Sequence, residues 1–170
     1  MSQKPRFAWH QLTQPANDHQ PARQEVYDRG KEIHAKLKAM IGEQWLNQPE
    51  KVDETEHGTG LLYRDLELPF DIVYHPDVVR QEIGLDGLVY TRVYEVKSTL
   101  DFFKHRLYCE CELSGYAHFL GARSADFVLY WKPDPSSPDS LSVSVLPMWR
   151  IPWEQLKALA LRAYSEMQTA

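Results

Sequence analysis

Apolar positions recur at helical spacing from about Gln24 to Leu46, where Val26, Gly30, Ile33, Leu37 and Met40/Ile41 form one side and Arg29, Lys31, Glu32, Lys36 and Lys38 mostly the other. The pattern predicts an amphipathic helix. Gly30 sits inside it at a cost of about 1 kcal/mol against alanine, which suggests a close packing partner, and His34 follows one turn later on the same side. The stretch 47–60 is polar and charged and predicts a surface loop. Apolar runs at Leu61–Tyr63, Leu66–Tyr74, Ile83–Tyr90 and Arg92–Ser98 come next, separated by turn signals at Pro69 and His75-Pro76-Asp77. They predict an antiparallel meander of three or four strands.

A second helix is expected from Asp101 to about Ala122. It has one stripe of Phe103, Leu107, Cys111, Ser114 and His118, another of Tyr108, Glu112 and Tyr116, and Gly121 at its end. Two strands, 126–131 and 140–148, follow around a proline-rich loop at 132–139. The chain ends in an amphipathic helix over 152–167 whose buried side is Leu156, Leu159/Ala160, Ala163 and Tyr164/Met167. Residues 1–23, rich in Gln, Pro, Asn and His, carry no such pattern and read as a flexible arm before a single domain at 24–170. The order of helix, meander, helix, strands and helix implies an α/β fold.

Composition narrows the function. A length of 170 residues with 43% hydrophobic content is enough for one sizeable core. The net charge of −5 excludes binding of polyanions through bulk charge, so contact with DNA would need a local basic patch, bound cations or a partner. No apolar run approaches the roughly 18 to 20 residues that span a bilayer, and a cytoplasmic protein is expected. Cys109 and Cys111 lie two apart on a helix, a poor geometry for a disulfide, and are expected as reduced thiols.

The chemistry concentrates at Gly84–Thr99. If Tyr90-Thr91 forms a two-residue turn, Asp86 falls opposite Glu95, with Lys97 on the same face and Val96 directed into the core. Facing Cβ atoms would be about 4.5–5.5 Å apart, and two carboxylates at that spacing call for a cation between them. Oxygens from Asp86, Glu95 and the Val96 carbonyl suit Mg²⁺ or Mn²⁺. Lys97 would position or deprotonate water and add positive charge at a phosphoryl transition state.

Asp86 followed by Glu95-Val96-Lys97, on consecutive apolar strands, resembles the signature of the PD-(D/E)XK nucleases, with Gly84-Leu85-Asp86-Gly87 similar to the segment bearing the first acid. Gly30 to His34 resembles the Gly-x-x-x-His motif of the RecB-like exonuclease branch, and Glu112 to Tyr116 is similar to its Gln-x-x-x-Tyr motif. The resemblance implies a restriction-endonuclease-like central mixed sheet flanked by helices. It makes His34 a further metal ligand and assigns Glu112 and Tyr116 to DNA contact. The activity implied is a Mg²⁺- or Mn²⁺-dependent deoxyribonuclease, acting on single strands or DNA ends in recombination, repair or phage DNA processing, with a helicase or recombinase as a possible partner. Glutamate replaces the motif glutamine at position 112, and the cysteines of the cluster-bearing relatives are absent, so no iron–sulfur cluster is expected. The rival expectation is a catalytically silent module of the same fold that binds DNA or a partner protein.

Overall fold

In the computed structural model, residues 6–8, 24–54, 58–131 and 141–170 are described. Strands β1 (Arg6–Ala8), β2 (Lys51–Glu54), β3 (Gly58–Tyr63) and β4 (Asp71–Tyr74) form one sheet in the order β1-β4-β3-β2. Strands β5 (Val78–Ile83), β6 (Val89–Ser98), β7 (Ser124–Trp131) and β8 (Ser142–Pro147) form a second, in sequential order. The second sheet is mixed: β5 and β8 run antiparallel to their neighbours, while β6 and β7 are parallel, joined by a helical crossover. The expected meander is therefore split, with β3–β4 in one sheet, β5–β6 in the other, and residues 75–77 crossing between them.

Strand period places the core. Val93 on β6 and Ala125, Phe127 and Leu129 on β7 face one cluster, while Val96, Val128 and Tyr130 face a second. Helix α1 (Gln24–Ile41) covers the second face with Ile33, Leu37 and Ile41. On the other face lie α2 (Thr99–Lys104), α3 (Arg106–Phe119) and α4 (Trp153–Thr169), through Phe102, Leu113, Tyr116, Leu156 and Ala160. The result is an α/β structure in which a mixed sheet is flanked by helices on both faces.

Helix α1 stops at Ile41 rather than Leu46 because Gly42 takes a left-handed conformation (φ 76°). Arg80 then caps the helix end, its Nη1 donating to the carbonyls of Ile41 (3.0 Å) and Gly42 (2.9 Å). The buried amide of Gln81 accepts from the N–H groups of Leu46 (2.8 Å) and Asn47 (2.7 Å). These contacts fix α1 against β5. The expected close approach at Gly30 is absent: a Cβ there would meet Tyr130 Oη at 3.6 Å, an ordinary contact. Gly30→Ala should therefore stabilise the protein by about 0.5–1 kcal/mol. Thermal unfolding checks it; a lower Tm would restore the close-packing reading.

The loop expected at 47–60 contains β2 and the start of β3. Its charged residues mark an edge strand whose one inward side chain is Val52. The strand expected over 66–74 is confined to Asp71–Tyr74. The second helix is two, broken at His105 (φ −125°), and its expected Phe103–Leu107 stripe faces solvent while Phe102, Cys109, Leu113 and Tyr116 face the core. In α4, Leu156 and Ala160 are buried, whereas Leu159 and Met167 are exposed. Both cysteines are free thiols, and burial pushes that of Cys109 up to about 11. No helix among the described residues is long and apolar enough to cross a membrane. Of the arm at 1–23 only β1 is described; the proline-rich loop 132–139 and the Val26 side chain lie outside the described residues.

Candidate active site

The β5–β6 hairpin sets the site through its register. Val78 pairs with Tyr94 and Ile83 with Val89, and the turn is 84–88, with Gly87 N–H donating to the Gly84 carbonyl (2.9 Å) and Gly87 at φ 78°. Tyr90 and Thr91, expected as the turn, lie within β6. Continuing the observed register by one pair brings Asp77 opposite Glu95 and leaves Asp86 at the apex of the turn.

Asp86 is thus not brought to the acid–lysine cluster. It is exposed at the hairpin tip, where it accepts from the Tyr90 hydroxyl and from the Leu88 N–H (3.0 Å), and those bonds hold its carboxyl below the usual range. It serves the turn, as an Asp-Gly acid commonly does. A surface cavity of about 380 Å³ opens at this tip, lined by Glu82, Gly84, Asp86, Tyr90 and Arg123 among others. None of His34, Asp77, Glu95 or Lys97 lines it.

The position expected of Asp86 is taken by Asp77, in the segment between the two sheets. Its Oδ2 accepts from the Val96 N–H (2.8 Å), and its own N–H donates to Glu95 Oε2 (3.3 Å). His34 Nε2 lies 2.8 Å and Lys38 Nζ 3.5 Å from its Oδ1. His34 and Lys38 are one helical turn apart, so the face of α1 that packs on β6 also delivers both side chains to Asp77. Burial alone would raise the Asp77 carboxyl, but His34, the Val96 N–H and Lys38 outweigh it and hold the group low and ionised.

Glu95, Val96 and Lys97 lie in β6 as expected, with Glu95 and Lys97 on the face opposite Val96. Glu95 is only 4% exposed. Burial and the neighbouring charge of Asp77 push its carboxyl well above the usual range, against the opposing pull of Lys97. Lys97 Nζ stands between two carboxylates, 3.1 Å from Glu95 Oε1 and 3.0 Å from Glu112 Oε2. Desolvation alone would lower it, yet Glu95 and Glu112 together raise it well above the ordinary lysine value.

Glu112 and Tyr116 do not form the DNA-facing pair expected of them. Both are buried on the inner side of α3, with the Tyr116 ring against Tyr74 (centroids 5.7 Å apart) and its hydroxyl donating to Glu112 Oε1 (3.1 Å). That phenol is held well above its usual range by burial and by the Glu112 charge. The motif residues follow the inward stripe of the helix, which leaves no ring face open for stacking on a base.

The carboxylate oxygens of Asp77 and Glu95 are of the donor type that hard divalent cations take, and His34 adds a softer imidazole nitrogen beside them. Among the described residues no group of three or more His, Cys, Asp or Glu side chains is placed to hold a metal ion. Instead, His34 and Asp77 direct their polar atoms at one another, and the mutual repulsion of Asp77 and Glu95 is offset by Lys97 and Lys38.

No protein-family model and no curated protein matches the sequence. Among solved structures, the chain is similar to SSO0001, with a TM-score of 0.47 and 12% identity over 81% of this chain. It spans 58% of the length of SSO0001. It is also similar to an alkaline exonuclease, LHK-Exo, from Laribacter hongkongensis, with a TM-score of 0.40 and 14% identity over 96% of this chain and 88% of that one.

Proposed function

We propose that the protein is a Mg²⁺- or Mn²⁺-dependent deoxyribonuclease of the PD-(D/E)XK type, with Asp77, Glu95 and Lys97 as its catalytic set and His34 as a further ligand. The observation that carries this reading is the convergence of His34, Asp77, Glu95 and Lys97 on one partly open cluster, drawn from α1, the inter-sheet segment and β6. The motif then reads Pro76-Asp77 and, eighteen residues on, Glu95-Val96-Lys97.

In this reading Asp77 and Glu95 hold the cation, with His34 beside them and the Val96 carbonyl as a candidate fourth donor. When bound, the cation supplies Lewis acidity at a phosphate oxygen and lowers the pKa of water. The chain's own groups do the rest. The Val96 N–H fixes the Asp77 carboxylate, and the Asp77 N–H fixes Glu95. Lys97, kept protonated by its two carboxylates, contributes positive charge where negative charge develops on the phosphoryl group, rather than acting as the base. By the resemblance, the substrates are single strands or DNA ends and the setting is recombination, repair or phage DNA processing.

The test is incubation of the purified chain with linear single- and double-stranded DNA in Mg²⁺, in Mn²⁺ and in chelator. Cleavage that requires either metal is expected. Absence of cleavage in both metals overturns the reading; a retained gel shift would then identify a silent DNA-binding module.

A further inference from the structure

Glu112 has a placement that substrate contact does not explain. It is 6% exposed, on the inner side of α3, and a carboxylate so placed needs partners for both oxygens. Oε1 accepts from two hydroxyls one helical turn to either side, Tyr108 (3.3 Å) and Tyr116 (3.1 Å). Oε2 faces the Lys97 ammonium at 3.0 Å, an ion pair without a directed hydrogen bond of its own.

From this geometry we infer that Glu112 is a positioning residue for Lys97: a carboxylate clamped by Tyr108 and Tyr116 that fixes the ammonium beside Glu95. The inference rests on the nuclease reading of that cluster for its consequence, though the clamp is a property of the chain itself. Its logic is a division of labour. Glu95 cannot serve Lys97 and a cation equally, since both draw on the same carboxylate. Glu112, buried on the inner side of α3, would keep the ammonium in place were Glu95 to hold a cation. This also accounts for glutamate at a place where the resembling motif carries glutamine. A neutral amide could accept from Lys97 but would leave it a single counter-charge, and the half-buried ammonium would be held less firmly. The two tyrosines matter because a carboxylate with both hydroxyls bonded to one oxygen has little freedom to rotate.

The first measurement is independent of DNA. A lysine ammonium fixed in a buried ion pair exchanges its protons slowly enough to be seen in ¹H–¹⁵N spectra, whereas solvent-exposed ones do not. The wild type should show a resonance for Lys97, told apart from that of Lys157, whose ammonium pairs with Glu67 and Glu154, by its loss in Lys97→Ala; Glu112→Gln should shift or erase it while the backbone amide spectrum stays that of a folded protein. An unchanged Lys97 resonance in Glu112→Gln, or no Lys97 resonance in the wild type, overturns the clamp.

The second measurement is kinetic. Glu112→Gln should lower kcat about 10–100-fold with the KM for DNA unchanged, and should cost nothing further in a Lys97→Ala background. A raised KM with kcat intact would instead make Glu112 a DNA contact and overturn the inference. If the ammonium result holds while the wild type cleaves no DNA in either metal, the nuclease reading fails and the positioning of Lys97 by Glu112 stands.

Discussion

Asp77→Asn is expected to abolish metal-dependent DNA cleavage, a loss on the order of 10²–10³-fold or more, while Asp86→Asn leaves the rate unchanged. The two aspartates flank the same strand, and a reading of the sequence by motif alone cannot rank them. Their surroundings do. Asp77 touches His34, the Val96 N–H and Glu95, three groups of one cluster. Asp86 bonds within its own hairpin, to Tyr90 at the start of β6 and to Leu88 in the turn. Asparagine keeps the shape of Asp77 and an acceptor for the Val96 N–H, so the protein should stay folded while losing the negative charge that a cation requires. Rates in Mg²⁺ and Mn²⁺, with circular dichroism spectra of both variants, decide the matter. Loss of cleavage in Asp86→Asn with retention in Asp77→Asn would return the site to the hairpin tip.

The placement of Asp86 shows where the sequence stops being informative. The faces on which Glu95, Lys97 and His34 lie are legible because strand and helix periods alone decide which residues share a face, and those periods hold in β6 and α1. The first acid depends on hairpin register, which is set by the turn. The chain holds two turn signals: Tyr90-Thr91, which would pair Asp86 with Glu95, and Asp86-Gly87, which is the stronger by turn chemistry. The structure forms the turn at 84–88, with Gly87 supplying the positive φ. Given that choice, the register leads back to Asp77, in a segment that reads locally as His75-Pro76-Asp77, a plain turn. The inward role of Glu112 was hidden for a different reason. An acid on an amphipathic helix is ordinarily assigned to the solvent side, and only its pairing with Lys97 on a neighbouring strand makes burial tolerable. The split into two sheets was equally out of reach, because β4 and β5 are separated by a turn-like segment whether or not they belong to one meander.

Helix α3 presents a matched pair of leucines for the second large effect: Leu113→Ala should destabilise the protein by about 2–5 kcal/mol, and Leu107→Ala by no more than about 0.5 kcal/mol. Leu113 is 0% exposed, within the cluster that joins α3 to β6, β7 and α4, whereas Leu107 on the same helix is 70% exposed. Helix propensity is common to both substitutions, so the difference isolates burial and the cavity left behind. Against a total stability of about 5–15 kcal/mol, the buried change alone removes a large share, and urea unfolding midpoints of the two variants measure it. The same leucine bears on the site. Leu113 lies between Glu112 and Ser114, so the packing that seats it also aims the Glu112 carboxylate at Lys97. Leu113→Ala at temperatures where it remains folded should therefore weaken the Lys97 ammonium resonance as well, an effect that Leu107→Ala lacks. Equal destabilisation by the two variants would mean that α3 does not dock through this face, and the placement of Glu112 beside Lys97 would fall with it.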